Sequence, residues 1–361
     1  MSGKAPTIID VAREAGVSIK TVSRVMNQEP GVNSETRGQV LSVITRLNYR
    51  PQQSARSLAG ARSFLIGLLY YDPSADYIAG VQQGATLRCR EAGYHLVVES
   101  LDDDAPDIGH QVDRVVSALR PDGMILTPPL SDNAQVLAAL RAARTPCVLV
   151  SPAQETEGVA SVRMDDQRAA QEITGLLLAL GHRRIGFVKG AADQAASKLR
   201  YQGYLRALKA AQVPLDKDLI VPGDFKFDSG VAAATQLLAR KARPTAIFAS
   251  NDDMALGVLT TAQRMGIAVP AELSIAGFDD SPAAVLVWPR LTTVHQPKAL
   301  MARTAVELLV AASRGDDPGQ LHRVLPHQVV VRESTGAAPV ARESTGAAPG
   351  SALPAKPGPG R

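Results

Sequence analysis

The sequence predicts an all-α head followed by an α/β body of two doubly wound, parallel-sheet subdomains. Apolar residues recur at helical spacing through the first 50 residues, which indicates a small helical bundle. Beyond residue 63, short apolar runs alternate with helical stretches, and this alternation is typical of parallel sheets covered on both faces. The 361 residues contain more of these units than one compact sheet holds. We therefore expect two sheet subdomains behind one head.

The head also differs from the body in charge. Residues 1–62 contain nine Lys or Arg and four Asp or Glu, whereas the remaining 299 residues are close to neutral. A small basic domain beside a neutral body indicates an electrostatic partner for that domain alone, and nucleic acid is the commonest such partner. A solvated charged surface is the alternative. Neither a secretory signal nor a membrane-length apolar run is present, which predicts a cytoplasmic protein without a membrane partner.

Two short helical patterns parted by one Gly open the chain, in TIIDVAREAGVSIKTVSRVMN. The residues at core spacing are Ile8, Val11, Ala12 and Ala15 in the first pattern and Val22 and Val25 in the second. A third helix, for which Ser34 is the expected cap, has its apolar residues at Val40, Leu41, Ile44 and Leu47. Pro51 ends the head.

Polar and cationic side chains cover the rest of the second helical pattern. Hydroxyls donate to phosphates, Arg and Lys pair with guanine, and a small apolar tip contacts a thymine methyl. The composition therefore favours a helix that lies in a DNA groove over one that only faces solvent. The side chains concerned are Ser18, Ile19, Lys20, Thr21, Ser23, Arg24 and Asn27.

Composition divides the whole chain into four segments. They are a head at 1–51, a linker at 52–62, a two-lobed body at 63–334 and a tail at 335–361. The linker sequence QQSARSLAG buries little and would be a marginal helix by itself. The Pro/Gly/Ala-rich tail is expected to be disordered. The octapeptide RESTGAAP occurs at 332–339 and again at 342–349, which is too few copies for a solenoid.

Polar side chains follow two of the predicted strands of the body. Asn251 comes directly after TAIFAS, and Asp279 comes directly after LSIAGF. At the carboxyl ends of parallel strands, both are expected to face the cleft in which ligands of such sheets bind. Together with Arg200 they offer an amide, a carboxylate and a guanidinium, which suit adjacent sugar hydroxyls. The candidate aromatic faces for a sugar are Phe225, Phe227, Tyr71, Tyr77 and Trp288.

Each of the polar candidates has a structural alternative. Asn251 and Asp279 fit the caps of the helices that follow them, and Arg200 fits an ion pair between the lobes. The residues around Asp165 favour a helix cap over a ligand. His182 is expected in a turn at a helix end rather than as a catalytic base.

No catalytic or metal-binding pattern is found in the sequence. The six His and two Cys do not gather at metal-ligand spacing, and neither a G-x-S-x-G motif nor a phosphate-binding loop occurs. We therefore expect no enzyme activity, no cofactor and no metal. Cys89 and Cys147 are expected to be buried free thiols.

A series of motifs runs along the chain in a fixed order. At the start they are TIIDVAREAGVSIKTVSRVMN, VNSETRGQVLSVITRLNYRP and ARSLAG, and in the body LGHRRIGFV, SKLRYQGY, SNDDMALGV, SIAGFDDSP, PRLTTVHQP and VVVREST. Together they resemble the lactose-repressor family of bacterial transcription regulators, over roughly residues 6–335. The resemblance implies a helix-turn-helix head and a periplasmic-binding-protein-like body that binds an effector and dimerises.

For the DNA site, the resemblance implies that Ile19, Lys20 and Arg24 face base edges in the major groove. It assigns phosphate contacts to Thr7, Ser18, Thr21, Ser23 and Asn27, and Tyr49 is a further predicted DNA contact. In the linker it implies a hinge helix from which Ala55 and Leu58 enter the minor groove and bend the duplex. Packing of Leu58 on the body is the alternative. Gln52 stands where the family commonly has Asn, which weakens the case for a hinge-helix cap.

For the effector site, the resemblance implies that Arg200, Asn251 and Asp279 bind the ligand. Phe225, Asp72, Ser151 and Gln296 complete the predicted set. Ser151 stands where some family members have Asp, which leaves the class of sugar open.

The predicted function is that of a homodimeric repressor of carbohydrate-utilisation genes, released from a near-palindromic operator by a mono- or disaccharide. A corepressor response, such as that of purine-binding family members, is the alternative within the family. A sugar-binding transport protein is a rival against which the basic head argues. A sugar-modifying enzyme is a second rival, against which the lack of a catalytic pattern argues.

Overall fold

The computed structural model describes residues 6–26, 30–49, 62–71, 74–101, 107–317 and 319–339. Within these residues the chain forms two compact units. The first unit comprises the residues up to 166 with 192–199 and 296–328, and the second comprises 167–191, 200–295 and the residues from 329 onward. Each unit contains a parallel sheet, and the first also contains the helical head. This confirms the predicted fold class.

The head consists of α1 (Ile8–Glu14), α2 (Ile19–Met26) and α3 (Ser34–Arg46). Its buried core confirms the core faces predicted for the first two helices. The buried members are Val11, Ala12, Ala15, Val22, Val25, Val40, Val43 and Tyr49. Ile8 packs against this core and is itself partly buried.

The third helix differs from the prediction in two details. Its buried residues are Val40 and Val43, whereas Leu41, which was expected in the core, is 49% exposed. Asn33 rather than Ser34 caps the helix, because Asn33 Oδ1 accepts a hydrogen bond from the backbone N–H of Thr36 at 2.7 Å. The helix therefore starts at Ser34, one residue earlier than expected. Ile44 and Leu47 pack against the core as predicted and are partly buried.

Strands and helices alternate through the body. The strands are β1 (Leu65–Tyr70), β2 (His95–Ser100), β3 (Gly123–Leu126), β4 (Cys147–Val150), β5 (Ala160–Met164), β6 (Ile185–Val188), β7 (Ile220–Val221), β8 (Ala246–Ala249), β9 (Ser274–Ala276), β10 (Thr293–His295), β11 (His322–Leu325) and β12 (Gln328–Val330). The helices are α4 (Ala75–Ala92), α5 (Ile108–Leu119), α6 (Ala134–Ala142), α7 (Asp166–Ala179), α8 (Ala195–Ala210), α9 (Phe227–Leu238), α10 (Asp252–Arg264) and α11 (Lys298–Arg314).

The strands assemble into two parallel sheets. The first unit has a six-stranded sheet in the order β11, β5, β4, β3, β1, β2, and the second has a four-stranded sheet in the order β7, β6, β8, β9. A two-stranded sheet pairs β10 with β12. One core beside the first sheet contains side chains of α4 and α11, and a second contains side chains of α5 and α6. Helices thus cover both faces, which explains why the strands are continuous apolar runs.

Helices α4 and α11 approach each other so closely at Gly84 that a side chain does not fit. A Cβ built at Gly84 would lie 2.0 Å from the carbonyl O of Ala299. We expect Gly84→Ala to lower the free energy of unfolding by about 1–3 kcal/mol, because the backbone of α11 must move.

The matched control is Gly175→Ala on α7, where an added Cβ would have no atom within 4 Å. This variant should raise the free energy of unfolding by about 0.5–1 kcal/mol, since Ala is more favourable than Gly within a helix. Chemical denaturation measures both variants. Equal effects at the two positions would show that the close contact at Gly84 does not limit stability.

Candidate functional site

Helix α2 buries its apolar residues and exposes polar ones. Val22 and Val25 are buried in the head core, whereas Ile19 is 48% exposed. At the start of the helix, Ser18 Oγ accepts a hydrogen bond from the backbone N–H of Thr21 at 3.1 Å, and the two hydroxyls lie 2.9 Å apart. An exposed apolar tip beside hydroxyl groups is the surface expected of a helix that enters a DNA groove.

Thr7 and Asp10 form a capping box at the start of α1. The Thr7 hydroxyl donates to Asp10 Oδ2 at 2.7 Å, and the backbone N–H of Thr7 donates to the same oxygen at 2.9 Å. The Thr7 hydroxyl that is predicted to contact a phosphate therefore already takes part in the N-terminal cap of α1. Of the other predicted DNA contacts, Lys20 is exposed, and Ser23 and Arg24 are half-buried.

Tyr49 has a packing role that the sequence did not reveal. It is 7% exposed and belongs to the head core, and this burial raises the pKa of its phenol. Its contact with DNA stays a prediction. Asn27, Ala55, Leu58 and Asp72 lie outside the described residues, and their roles also stay predictions.

Two of the predicted effector residues come together in the second unit. Arg200 on α8 is 4% exposed, and its Nη1 donates to the carbonyl O of Ser250 at 2.6 Å. The same nitrogen lies 3.9 Å from Asp279 Oδ1. The guanidinium lies over the Phe278 ring, 3.6 Å from its centroid. The ion pair that was the alternative role of Arg200 exists, but its partner belongs to the same unit.

Asn251 holds the same cluster from the end of β8. Its Oδ1 accepts a hydrogen bond from the backbone N–H of Met254 at 3.0 Å and so caps α10, which confirms the alternative role of Asn251. Its Nδ2 donates to the carbonyl O of Phe225 at 2.8 Å. The Phe225 ring centroid lies 5.8 Å from Arg200 Cζ, which brings a fourth predicted residue to the site.

The backbone around this cluster has unusual conformations. Phe225 has a φ of +69°, and its ring packs so tightly on Gly190 that a Cβ there would lie 2.0 Å from the ring. Asp279 has a φ of +116°, in the region that disfavours side chains. Ser281, not Asp279, occupies the N-cap position of the following 3₁₀ turn and makes no side-chain cap hydrogen bond, so the cap expected as the alternative role of Asp279 is wrong.

Asp252 is a member of this region that sequence reasoning missed. It is 1% exposed, accepts a hydrogen bond from Thr293 Oγ1 at 2.6 Å, and accepts another from the backbone N–H of Ser281 at 2.7 Å. Burial, and then the charge of Asp279, raise its pKa to about 8 against these hydrogen bonds. The only sequence signal was the second acidic position of SNDD, which looked like an ordinary helix start.

The raised pKa of Asp252 predicts a specific dependence of stability on pH. Because the pKa is 3.8 ordinarily and about 8 when folded, the folded state keeps a proton that the unfolded state releases. Its stabilising effect is complete below pH 3.8 and is lost as the pH rises through 8. Relative to Asp252→Asn, the wild type should lose about 1.4 kcal/mol of unfolding free energy per pH unit in this window.

Denaturation of both proteins from pH 4 to 9 measures this difference. The Asn variant is a suitable reference, because its amide can donate to Thr293 while its oxygen still accepts from Ser281. Parallel stability curves for the two proteins would show that Asp252 stays ionised in the folded state.

Two predicted effector residues lie in the first unit. Gln296 is 3% exposed, and its Oε1 has no hydrogen-bond partner in the described part of the chain. Ser151 follows β4 with a φ of +50°, and its Oγ lies 3.8 Å from the sulfur of Met301. Asp165 directly precedes α7, the position in which a cap was expected.

The remaining aromatic candidates do not form one group. Trp288 is 73% exposed and Phe227 is 42% exposed, both in the second unit. Tyr71 and Tyr77 pack against the two cores of the first unit. Among the predicted aromatic residues, Phe225 is therefore the one near Arg200, and Phe278, which was not predicted, lies closer to the guanidinium.

Other sequence expectations concern metals, thiols and membranes. Among the described residues, no group of three or more His, Cys, Asp or Glu could hold a metal ion. Cys89 is buried, Cys147 is half-buried, and burial raises their pKa values to about 12 and about 11. No helix in the described ranges is long and apolar enough to cross a membrane.

Comparison with known proteins identifies the family. Residues 7–52 match the family of bacterial regulatory proteins named after lacI, and residues 174–335 match the periplasmic binding protein-like domain. Catabolite control protein A of Priestia megaterium is 35% identical over 332 residues, which cover 91% of this chain and 99% of that protein. The chain belongs to the lacI family. This lacI-family chain is a DNA-binding transcription regulator, as the sequence predicted.

Two solved structures are similar to this lacI-family regulator over most of its length. The complex of the transcriptional regulator CelR with cellobiose is 31% identical, with a TM-score of 0.69 and coverage of 91% of this chain and 99% of that one. The lac repressor dimer bound to operator and the anti-inducer ONPF is 29% identical, with a TM-score of 0.76 and coverage of 92% and 100%.

Proposed function

We propose that this lacI-family regulator represses carbohydrate-utilisation genes and that a sugar releases it from its operator. The observation that carries the proposal is the buried cluster of Arg200 and Asp279 beside Phe225 at the strand ends of the second unit. Buried charges are costly unless they are paired or serve a ligand. Here a guanidinium, a carboxylate and an aromatic ring lie in one small buried region, and this combination of side chains suits a sugar.

The chemistry of each residue determines its role in this site. Arg200 has a planar guanidinium with five N–H donors, one of which donates to the Ser250 carbonyl, and this planar group suits the oxygen of a sugar hydroxyl. Asp279 accepts hydrogen bonds from hydroxyl groups. The oxygen of Asn251 accepts from the backbone N–H of Met254 and its amide donates to the backbone carbonyl of Phe225, so its main role is to hold the backbone from which the Phe225 ring projects.

Gln296 supports a ligand with hydroxyl groups. A buried side-chain oxygen without a hydrogen-bond partner is costly, and in native proteins such atoms generally have a partner that satisfies them. The Oε1 atom of Gln296 is of this kind among the described residues. A sugar hydroxyl that donates to it would remove the cost. Asp72 and Ser151 complete the proposed set.

Two similar structures support a carbohydrate ligand and a dimer. CelR is complexed with cellobiose, and lac repressor is bound to operator as a dimer. We extend both properties to this chain, as a homodimer that binds a mono- or disaccharide. Two-fold symmetry of the protein then matches a near-palindromic operator.

At the operator, we assign base contacts to Ile19, Lys20 and Arg24. We assign phosphate contacts to Thr7, Ser18, Thr21, Ser23 and Asn27, and Tyr49 is a further proposed DNA contact. The segment at 52–62 acts as a hinge helix, with Ala55 and Leu58 in the minor groove, where an apolar wedge unstacks one base step and bends the duplex. The sugar favours the state in which this segment is released, and a coupling of about 1–3 kcal/mol per site is sufficient.

Fluorescence anisotropy tests the proposal on the purified full chain and the near-palindromic DNA upstream of its own gene. The titration is repeated with monosaccharides, disaccharides, glucosides and purines. We expect one sugar to weaken DNA binding. Tighter binding with a purine or a sugar would make the ligand a corepressor and overturn the proposed sign. A chain that binds no DNA would overturn the operator assignment.

A further inference from the structure

The first octapeptide, Arg332–Pro339, is bound to the body rather than free in the tail. The Ser334 side chain is fully buried, donates to the carbonyl O of Ile275 at 2.6 Å and accepts from the backbone N–H of Thr292 at 2.8 Å. The backbone N–H of Ile275 in turn donates to the carbonyl O of Ser334 at 2.8 Å. The octapeptide thus bonds to the edge strand β9 of the second sheet.

The residues on either side of Ser334 also contact the body through their side chains. Arg332 Nη2 lies 2.5 Å from Asp280 Oδ1, and Glu333 pairs with Arg290 at 3.0 Å. The hydroxyl of Thr335 lies 2.8 Å from that of Thr292. These contacts depend on the residue types R, E, S and T in that order.

The end of the octapeptide is held by polar groups at the start of the sheet. Ser274 Oγ accepts from the backbone N–H of Gly336 at 3.0 Å, and His182 Nε2 lies 3.1 Å from the carbonyl O of Gly336. The backbone N–H of Ala338 donates to the carbonyl O of Leu180 at 2.8 Å. His182 is fully buried, and this burial lowers the pKa of its imidazole. His182 lies at the end of the turn that follows α7, as the sequence suggested, and its buried side chain also packs in this groove.

The surface that receives the octapeptide is called here the octapeptide groove, formed by His182, Ser274, Ile275, Arg290 and Thr292. A second, identical octapeptide follows ten residues later, at Arg342–Pro349. It contains every side chain that the groove contacts. The match to the periplasmic binding protein-like domain ends at residue 335, inside the first copy, so the second copy lies beyond the matched body.

We propose that the octapeptide groove is a binding site for which the two copies are interchangeable occupants within one chain. The first copy occupies the groove in the folded protein. When its contacts are weakened, the second copy takes its place in the same register, with Ser344 on Ile275 and Thr292 and Gly346 on His182 and Ser274. The residues between β12 and Arg342 then form a loop. Closing a loop of this length has a small entropic cost. Because the first copy needs no loop, it is preferred over the second.

Double-mutant analysis of the full chain tests the exchange. Lysine at a fully buried serine cannot be accommodated, so Ser334→Lys removes the first copy from the groove and Ser344→Lys disables the second. We expect Ser344→Lys alone to leave the melting temperature unchanged and Ser334→Lys alone to lower it by about 2 °C or less. The double variant should lose roughly 4–8 °C, because no intact copy remains. A Ser334→Lys loss equal to that of the double variant, or additive losses, would overturn the proposal.

The conservative pair Ser334→Ala and Ser344→Ala repeats the cycle if the lysine variants do not fold. Hydrogen exchange then locates the bound copy directly. In the wild type, exchange should be slow in the peptide 332–339 and fast in 342–349. In Ser334→Lys, the slow peptide should become 342–349, with at least a tenfold change in rate. Fast exchange in both peptides would overturn the exchange of copies, and slow exchange that disappears on dilution would show binding between molecules instead of within one chain.

Discussion

Arg200→Ala should abolish the response to the sugar while operator binding in its absence stays intact. The substitution removes the guanidinium that donates to Ser250 and lies 3.9 Å from Asp279, and it leaves a buried carboxylate without this cation. Each hydrogen bond that a charged donor makes to the sugar is worth about 1.5–3 kcal/mol, so loss of the whole guanidinium should raise the sugar concentration for half-release by about 100-fold or more. Anisotropy of labelled operator DNA during sugar titration measures this shift.

Two further variants show whether the effect is specific to the Arg200 guanidinium. Arg206→Ala removes an exposed Arg from the same helix and should behave as wild type. Arg200→Lys keeps the charge but loses the planar group that stacks on Phe278, and we expect it to respond poorly. Circular dichroism checks that each protein is folded. An Arg200→Ala protein with a wild-type half-release concentration would remove Arg200 from the effector site.

Arg24→Ala should relax the preference for one operator base pair. Arg24 lies in the last turn of α2, on the helix that exposes Ile19 and Lys20. A bidentate Arg contact to guanine is worth about 1–3 kcal/mol of discrimination, which corresponds to roughly 5-fold to 150-fold in relative affinity. Competition of operator variants, each with one changed base pair, measures this preference. Equal weakening on all operator variants would contradict a base-reading role.

Thr7 and Arg13 provide the contrast for this experiment. Thr7→Ala should weaken all operator variants alike, because it removes a phosphate donor and also the cap of α1, which is worth about 1 kcal/mol. Thr7→Ser retains the hydroxyl and should restore both. Arg13→Ala removes an exposed cation of the head that pairs with Asp10, and it tests whether loss of charge alone changes the base preference.

Local sequence pattern was sufficient for the main strands and for part of the candidate site. Asn251 and Asp279 were predictable because each follows a fully buried strand, and a polar residue at that point emerges at the sheet edge. Strands β5 and β11 are not indicated by a local pattern, since Arg163 and Arg323 interrupt their apolar residues. The short β7 and the two-stranded sheet of β10 and β12 carried too few residues for a recognisable period.

The sequence alone also placed the body's end too early. Residues from 335 onward were assigned to a disordered tail on composition. The hydrogen bonds of Thr335, Gly336 and Ala338 show that the body extends at least to Ala338. Gly and other small residues give little indication of local structure from sequence. The end of the first octapeptide has a fixed conformation because it is hydrogen-bonded to the groove.

By itself, the sequence determined the two kinds of domain, the exposed chemistry of α2 and the candidate polar residues at the strand ends, because these depend on periodicity and on neighbours along the chain. The tertiary structure decided which groups meet. Asp252 acquires a pKa of about 8 because burial and the charge of Asp279 raise it, against the hydrogen bonds that it accepts from Thr293 and Ser281, 41 and 29 residues away. Tyr49 and His182 are likewise assigned to packing by burial among distant residues. Desolvation and long-range hydrogen bonds arise only when the chain is folded, and no local pattern contains them.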